Sequence, residues 1–301
     1  MAQNNLKIVY QNVVELATLA ASSTIGSLNV SNLKKEQRSY IWRSAPAGSS
    51  TVRVNLRLDD IPTLPSGIDT IVGTFTNLTV NATITVLGYT FTPVLDGTVG
   101  SPTIDGTATG TPLWSSGPIS CRPYSSNKDS VNYTTLSTSY GLSADTIRVF
   151  LPEPVPTSVT CLIIQINDTG NTNQNISMSH LIVGASWTPI YNTGYGISLQ
   201  TSDSSTNNRT ESGDLITKYG VTYNSLKFDL TWLTDSDRQI MEKICKRVGL
   251  RKPVFVSLFP NNILDYEKER SYQIYGKFKN LNAITHPTLN FYSSTVEIEE
   301  L

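Results

Sequence analysis

Histidine and cysteine are nearly missing from this chain of 301 residues, which has only His180 and His286, and Cys121, Cys161 and Cys245. Neither histidine neighbours a Cys, Ser or Asp arrangement of the kind a catalytic triad needs, and two histidines are too few for a multi-histidine metal centre. Three widely spaced cysteines make neither a stapled framework nor a zinc or redox pair, so three reduced thiols are expected, as in a reducing cytoplasm. Charge is also sparse, with 16% Asp, Glu, Lys and Arg and a formal net charge of -1. No basic field is left to collect nucleic acid, which is set aside as a partner. No apolar run is long enough to cross a bilayer. The start, Met1-Ala-Gln-Asn-Asn-Leu-Lys-Ile8, has no charged n-region with a clean apolar core behind it, and Glu15 interrupts the run from Val13 to Ala21, so no secretory signal is expected. No Gly-Lys phosphate cradle occurs, and Gly194-Tyr-Gly196 is too short to be one. The reading is of a non-enzymatic chain with no cofactor, metal or membrane association.

What is present is Ser, Thr and Asn in abundance around short apolar alternations, the pattern of a mainly β protein. The run His180 to Gly196 contains Gly184, Pro189, Gly194 and Gly196 between two strand-like stretches, and is expected to join two domains. Residues 1–38 read as an extended N-terminal arm, 39–187 as a β-sandwich, and 188–301 as a smaller β-rich domain with one helix. In the sandwich, Val52, Val54, Leu56 and Leu58 alternate with Arg53, Asn55 and Arg57, as in a half-buried antiparallel strand. The unbroken apolar run of Val159 to Ile166 suits a central strand. Between Pro93 and Pro123 glycine and proline are frequent and large apolar residues few, which predicts a long loop around Trp114.

In the last third, Leu226, Phe228, Leu230 and Trp232 alternate with Lys227, Asp229 and Thr231, so all four apolar residues are expected on one buried face. A helix over about 235–248 follows. Thr234 and Asp237 form a capping box, Ile240, Met241, Ile244, Cys245 and Val248 a stripe, and Lys246 and Arg247 occupy the last turn before Gly249 and Pro253. Cys245, on that stripe, reads as a small hydrophobe. Asp265 to Arg270 reads as a charged crossover.

Candidate contact residues are aromatic. Trp114 and Tyr124 could stack on a sugar ring or anchor a protein neighbour, and Trp42 beside Arg43 is either a ligand platform or core. The acidic groups Asp59-Asp60 and Asp265, Glu267 and Glu269 could supply glycosidase carboxylates, but solvated turn charges are the simpler account. The Asn-x-Ser/Thr triplets at Asn77, Asn81, Asn132 and Asn175 follow from composition.

The segment order resembles a group of tailed-bacteriophage virion proteins. It rests on Tyr10-Gln-Asn12 with Ala17-Thr18, Val30-Ser-Asn-Leu33, Arg38, Trp42-Arg-Ser44, Asp69-Thr-Ile-Val-Gly73, Asn77-Leu78 and Ala82-Thr-Ile84, then His180-Leu-Ile-Val-Gly184, Trp187-Thr-Pro189, Phe228 to Leu233 and Gly249 to Leu258. The resemblance implies an arm, a galactose-binding-like jelly roll and a smaller β domain, in a tail or baseplate subunit assembled in the host cytoplasm. It also implies a homo-oligomer contacting other tail proteins through its arm and loops, and supplies no catalytic residue. The long Gly/Pro-rich stretch departs from the pattern. The alternative is a carbohydrate-binding module recognising host surface glycans through its loop aromatics.

Overall fold

The computed structural model describes residues 5–45, 51–59, 61, 65, 67–79, 82–90, 112–121, 145–169, 171, 173–260, 266–281 and 283–301. It divides into two compact units, one of residues 11–186 and one of 1–10 with 187–301. The chain is mainly β, and the first unit is a jelly-roll sandwich of antiparallel strands. Its larger sheet runs Thr18–Ala21, Thr51–Arg57, Cys161–Asn167, Thr83–Tyr89, Trp114–Ser120, and its smaller one His180–Gly184, Thr70–Thr76, Asp145–Phe150. Cys161–Asn167 is the middle strand of the larger sheet, as its apolar run requires, and Leu162, Ile164 and Ile166 lie in the core with Val52, Val54, Leu56, Ile84 and Val86. Asn55, on the face opposite Val54 and Leu56, is buried as well.

The lead-in expected as an arm is extended but sewn into both units. Lys7–Val9 pairs with Val254–Ser257 in the second unit, where Leu6 and Ile8 join the core. In the first unit, Asn12 and Asn29 cap short 3-10 turns, Val13–Glu15 and Val30–Lys34, and Val13, Val14, Ala17, Val30 and Leu33 are buried. Arg38 then lays its guanidinium 3.8 Å over the Phe75 ring, and Phe75 sits at φ 52 where the Thr70–Thr76 strand bulges.

His180 holds the lead-in from inside the sandwich. The Asn12 carboxamide oxygen accepts from Val14 N and Val183 N, so its NH2 group faces Leu181 O and, at 3.5 Å, His180 Nε2. Nε2 must therefore act as acceptor, while Nδ1, 3.0 Å from the Lys35 carbonyl, carries the proton. Burial lowers the imidazole pKa below 6.5, against the opposing pull of the Lys35 carbonyl, Glu15 and Glu36. The unfolded chain takes up this proton below about 6.5 and the folded chain resists it, so stability present above that pH is lost as pH falls toward the folded pKa. The thermal midpoint is expected to drop between pH 7.5 and 5.5, and His180→Gln to flatten that slope. An unchanged slope in the variant would remove His180 as its cause.

In the second unit one sheet runs Lys7–Val9, Val254–Ser257, Gln273–Phe278, Phe291–Glu300, Thr222–Leu233, Ser198–Asp203, with Ile284–Thr288 beside Phe291–Glu300. Leu226, Phe228, Leu230, Val256, Val296 and Ile298 pack with the helix α1 (Asp235–Val248), which buries Met241, Ile244 and Val248. The Thr234–Asp237 capping box is formed, and Gly249 ends the helix at φ 57. A short second helix, α2 (Tyr266–Ser271), occupies the expected charged crossover. Its Glu269 is 0% exposed, which corrects the reading of that residue as a solvated turn charge. The Ser-, Thr- and Asn-rich stretch from Gln200 to Gly213, whose composition suits a loop, is largely extended: Ser198–Asp203 lies in the sheet, and Thr206–Arg209 pairs with Leu215–Lys218 as a two-stranded ribbon.

Candidate functional site

The sequence-derived aromatic candidates do not come together. Trp42 is 0% exposed in the sandwich core, on a short strand opposite Met178, so it presents no face to a ligand and the contact role is corrected to a packing role. Trp114 begins the edge strand of the larger sheet opposite Gly88, half-buried against the core. That strand, Trp114–Ser120, stands where a loop was expected. Tyr124 and the rest of residues 91–111 and 122–144, with Asp60 and Asp265, lie outside the described residues.

Among the described residues an exposed aromatic cluster lies in the second unit. Between Leu230 and Leu233 the strand Thr222–Leu233 slips register against Phe291–Glu300. This bulge interrupts the alternation, so that Leu233 turns inward at 1% exposure and Trp232 turns outward at 51%. The expectation of Trp232 in the core is corrected accordingly. Its ring meets Phe291 edge-on at 5.5 Å between centroids, and Tyr191, 48% exposed, meets the same Phe291 edge-on at 5.9 Å. Three aromatic rings thus share one surface. The sequence carried one sign of it: Trp232 and Leu233 are adjacent apolar residues just before the Thr234 cap, and a pleated strand can turn only one of the two inward.

Polar contacts hold the segment that carries Tyr191. The Asn5 NH2 group donates to Pro189 O and Ile190 O, both at 3.1 Å, and Asn192 Oδ1 accepts from Leu6 N and Thr193 N. Ile190 N donates to Asp237 Oδ2 at 3.4 Å, so the acidic residue of the helix cap also holds the platform's neighbour. Gly194 N donates to Asp229 O, and a Cβ on Gly194 would stand 3.2 Å from Thr231 Oγ1. Earlier on the same strand, Asp229 accepts from Thr295 Oγ1 at 2.6 Å. The three rings, set edge-on to one another, leave the indole of Trp232 exposed to solvent.

His286 stacks on Tyr292 at 4.5 Å, and Arg238 lies 5.2 Å over the same ring. Burial, with Asp59 adding to it and Arg57 opposing it, pushes the Cys161 thiol up to about 11, away from nucleophilic use, and none of the three cysteines is in a disulfide. Among the described residues no three His, Cys, Asp or Glu side chains come together to hold a metal, and no helix is long and apolar enough to cross a membrane.

No family model and no curated protein matches the chain. Among solved structures it is similar to the family 32 carbohydrate-binding module of Clostridium perfringens NanJ in complex with galactose, at 11% identity and TM-score 0.34, over 59% of this chain and 98% of that one. It is similar to another family 32 module of that organism, in complex with GalNAc-beta-1,3-galactose, at 10% identity and TM-score 0.34, over 58% and 100%. The fucolectin from striped bass (Morone saxatilis) serum matches at 12% identity and TM-score 0.34, over 76% of this chain and 70% of its own.

Proposed function

We propose that this chain is a non-enzymatic carbohydrate-binding protein that takes a saccharide ring on the surface of Tyr191, Trp232 and Phe291. The observation that carries the reading is the outward turn of Trp232 at the bulge. An indole displayed to solvent and braced by a second ring offers a face to the C–H side of a pyranose, where apolar area is removed from water on both partners. Thr231, next to Trp232 in the chain, and Asp229, which accepts from Thr295 Oγ1 on the neighbouring strand, are the polar side chains of the same strand that saccharide hydroxyls could use. Asn5, Asn192 and Asp237 fix the Tyr191 segment in advance, so little ordering entropy remains to be lost on binding.

The test is a glycan array probed with the full chain, followed by calorimetry on the saccharides retained. Trp232→Ala is expected to weaken binding about tenfold or more, with an unchanged far-UV spectrum because the side chain lies outside the core. Trp114→Ala, on the sandwich, is expected to leave the affinity unaltered. An array without a retained glycan, or a Trp232→Ala protein that binds as well as the parent, overturns the reading.

A second reading places the chain in a tailed-phage virion as a tail or baseplate subunit, with host glycans as its attachment target. The solvent-exposed ribbon of Thr206–Arg209 and Leu215–Lys218 favours it, since such an element has no packing role within its own unit.

A further inference from the structure

The ribbon is unlike every other paired element described. Each of the eight residues in Thr206–Arg209 and Leu215–Lys218 is exposed, on both faces. The element is nonetheless built to hold one shape. At its tip Thr210 N donates to Asp214 O, Gly213 N to Thr210 O, and Arg209 Nη1 to Gly213 O. At its root Val221 N donates to Ser204 Oγ and Gly220 N to Ser205 Oγ. A two-stranded ribbon is marginal in water by itself, and its outer edges present unpaired N–H and C=O groups that template pairing with another strand. Its apolar side chains are displayed as well: Ile216 is 59% exposed and Tyr219 90%.

We propose that the Leu215–Lys218 edge pairs antiparallel with the same edge of a second copy of this chain, about a two-fold axis through Ile216. Register and charge select this occupant. With Ile216 opposite itself, Asp214 stands across from the partner's Lys218, Lys218 across from the partner's Asp214, and Leu215 and Thr217 face each other twice. Both opposite-charge pairs form at once, on the face that carries Ile216, and cross-strand pairs of opposite sign and of apolar side chains stabilise such a sheet. The other edge, Thr206-Asn-Asn-Arg209, offers a copy of itself neither a carboxylate nor an apolar side chain. The contact is isologous, so it closes as a dimer with a continuous four-stranded ribbon. This inference is independent of saccharide binding, because it uses none of Tyr191, Trp232 or Phe291.

Light scattering of the full chain over a concentration series tests it, alongside Asp214→Lys, Lys218→Asp and the double variant Asp214→Lys/Lys218→Asp. The parent is expected to dimerise, each single variant to shift the dissociation constant upward about tenfold or more, and the double variant to regain the dimer, because exchanging the charges restores both pairs. Ile216→Cys should join two chains by a disulfide under mild oxidation, since residues facing each other across antiparallel strands have Cα atoms about 4.5–5.5 Å apart, within the range a disulfide spans. Asn208→Cys on the other edge should not. A parent monomeric over the whole series overturns the proposal. So does a dimer indifferent to the single variants, a double variant that stays monomeric, or equal cross-linking at the two cysteines. Far-UV spectra and melting of each variant verify the fold, and glycan retention is read separately, so either proposal can fail without the other.

Discussion

Replacing Trp42 by alanine is expected to cost about 3–5 kcal/mol, enough to unfold a marginal sandwich at ambient temperature. Trp42 is 0% exposed, and truncation leaves a cavity that the surrounding Val, Leu and Ile side chains can fill only in part. Its indole N–H is buried with no partner among the described residues, a cost of about 1–3 kcal/mol that the fold already carries. Trp42→Phe removes that donor while keeping a ring in the site. The loss of volume and the relief of the unpaired group then oppose each other, and the net change should be within about 2 kcal/mol of the parent. Urea unfolding followed by far-UV signal separates the two variants. If alanine and phenylalanine cost the same, the cavity account of Trp42 fails; if Trp42→Ala leaves stability unchanged, the residue is not the core element described above.

The second large effect is expected at Gly276. It pairs with Val254 on one side and Glu300 on the other, in the middle of the second unit's sheet. A Cβ built there would lie 2.0 Å from the Glu299 carbonyl oxygen and 2.6 Å from its carbon. Those are main-chain atoms of a strand paired on both sides, so no rotamer change relieves the clash, and the ladder must open or the strand must bend. Gly276→Ala is expected to destabilise by about 3 kcal/mol or more, at or beyond the upper end of ordinary overpacking. Gly73 is the matched comparison. Its Cβ would meet Met178 Cε at 2.7 Å and Sδ at 2.9 Å, the far end of a flexible side chain that can move aside. Gly73→Ala should therefore cost clearly less, about 1–2 kcal/mol. Equal losses in a thermal or urea series would mean that the Glu299 main chain yields as readily as a methionine tip.

Much of the fold could be read residue by residue. Alternation placed Val52, Val54, Leu56 and Leu58 inside, the apolar run placed Cys161–Asn167 at the centre of its sheet, and the signals at Thr234, Asp237 and Gly249 bounded α1. Each is a local cause: a pleated strand has a period of two, and a helix end has unpaired N–H and C=O groups that particular side chains satisfy. The aromatic surface was less legible. Trp232 obeyed the alternation on paper, and only the register slip against Phe291–Glu300, a strand far along the chain, turned it outward in place of Leu233.

The sequence by itself determined a mainly β chain with one well-capped amphipathic helix, sparse charge and few histidines, because composition and short periodicities depend only on neighbouring residues. Tertiary structure decided which rings face water, because exposure depends on which strands pair and in what register. It also decided that the lead-in belongs to both units. Leu6 and Ile8 are a weak signal until Val254–Ser257 lies beside them. The polar stretch after Gln200 followed the same rule: serine, threonine and asparagine suit a loop or an exposed strand equally, and the pairing of Thr206–Arg209 with Leu215–Lys218 made it a ribbon.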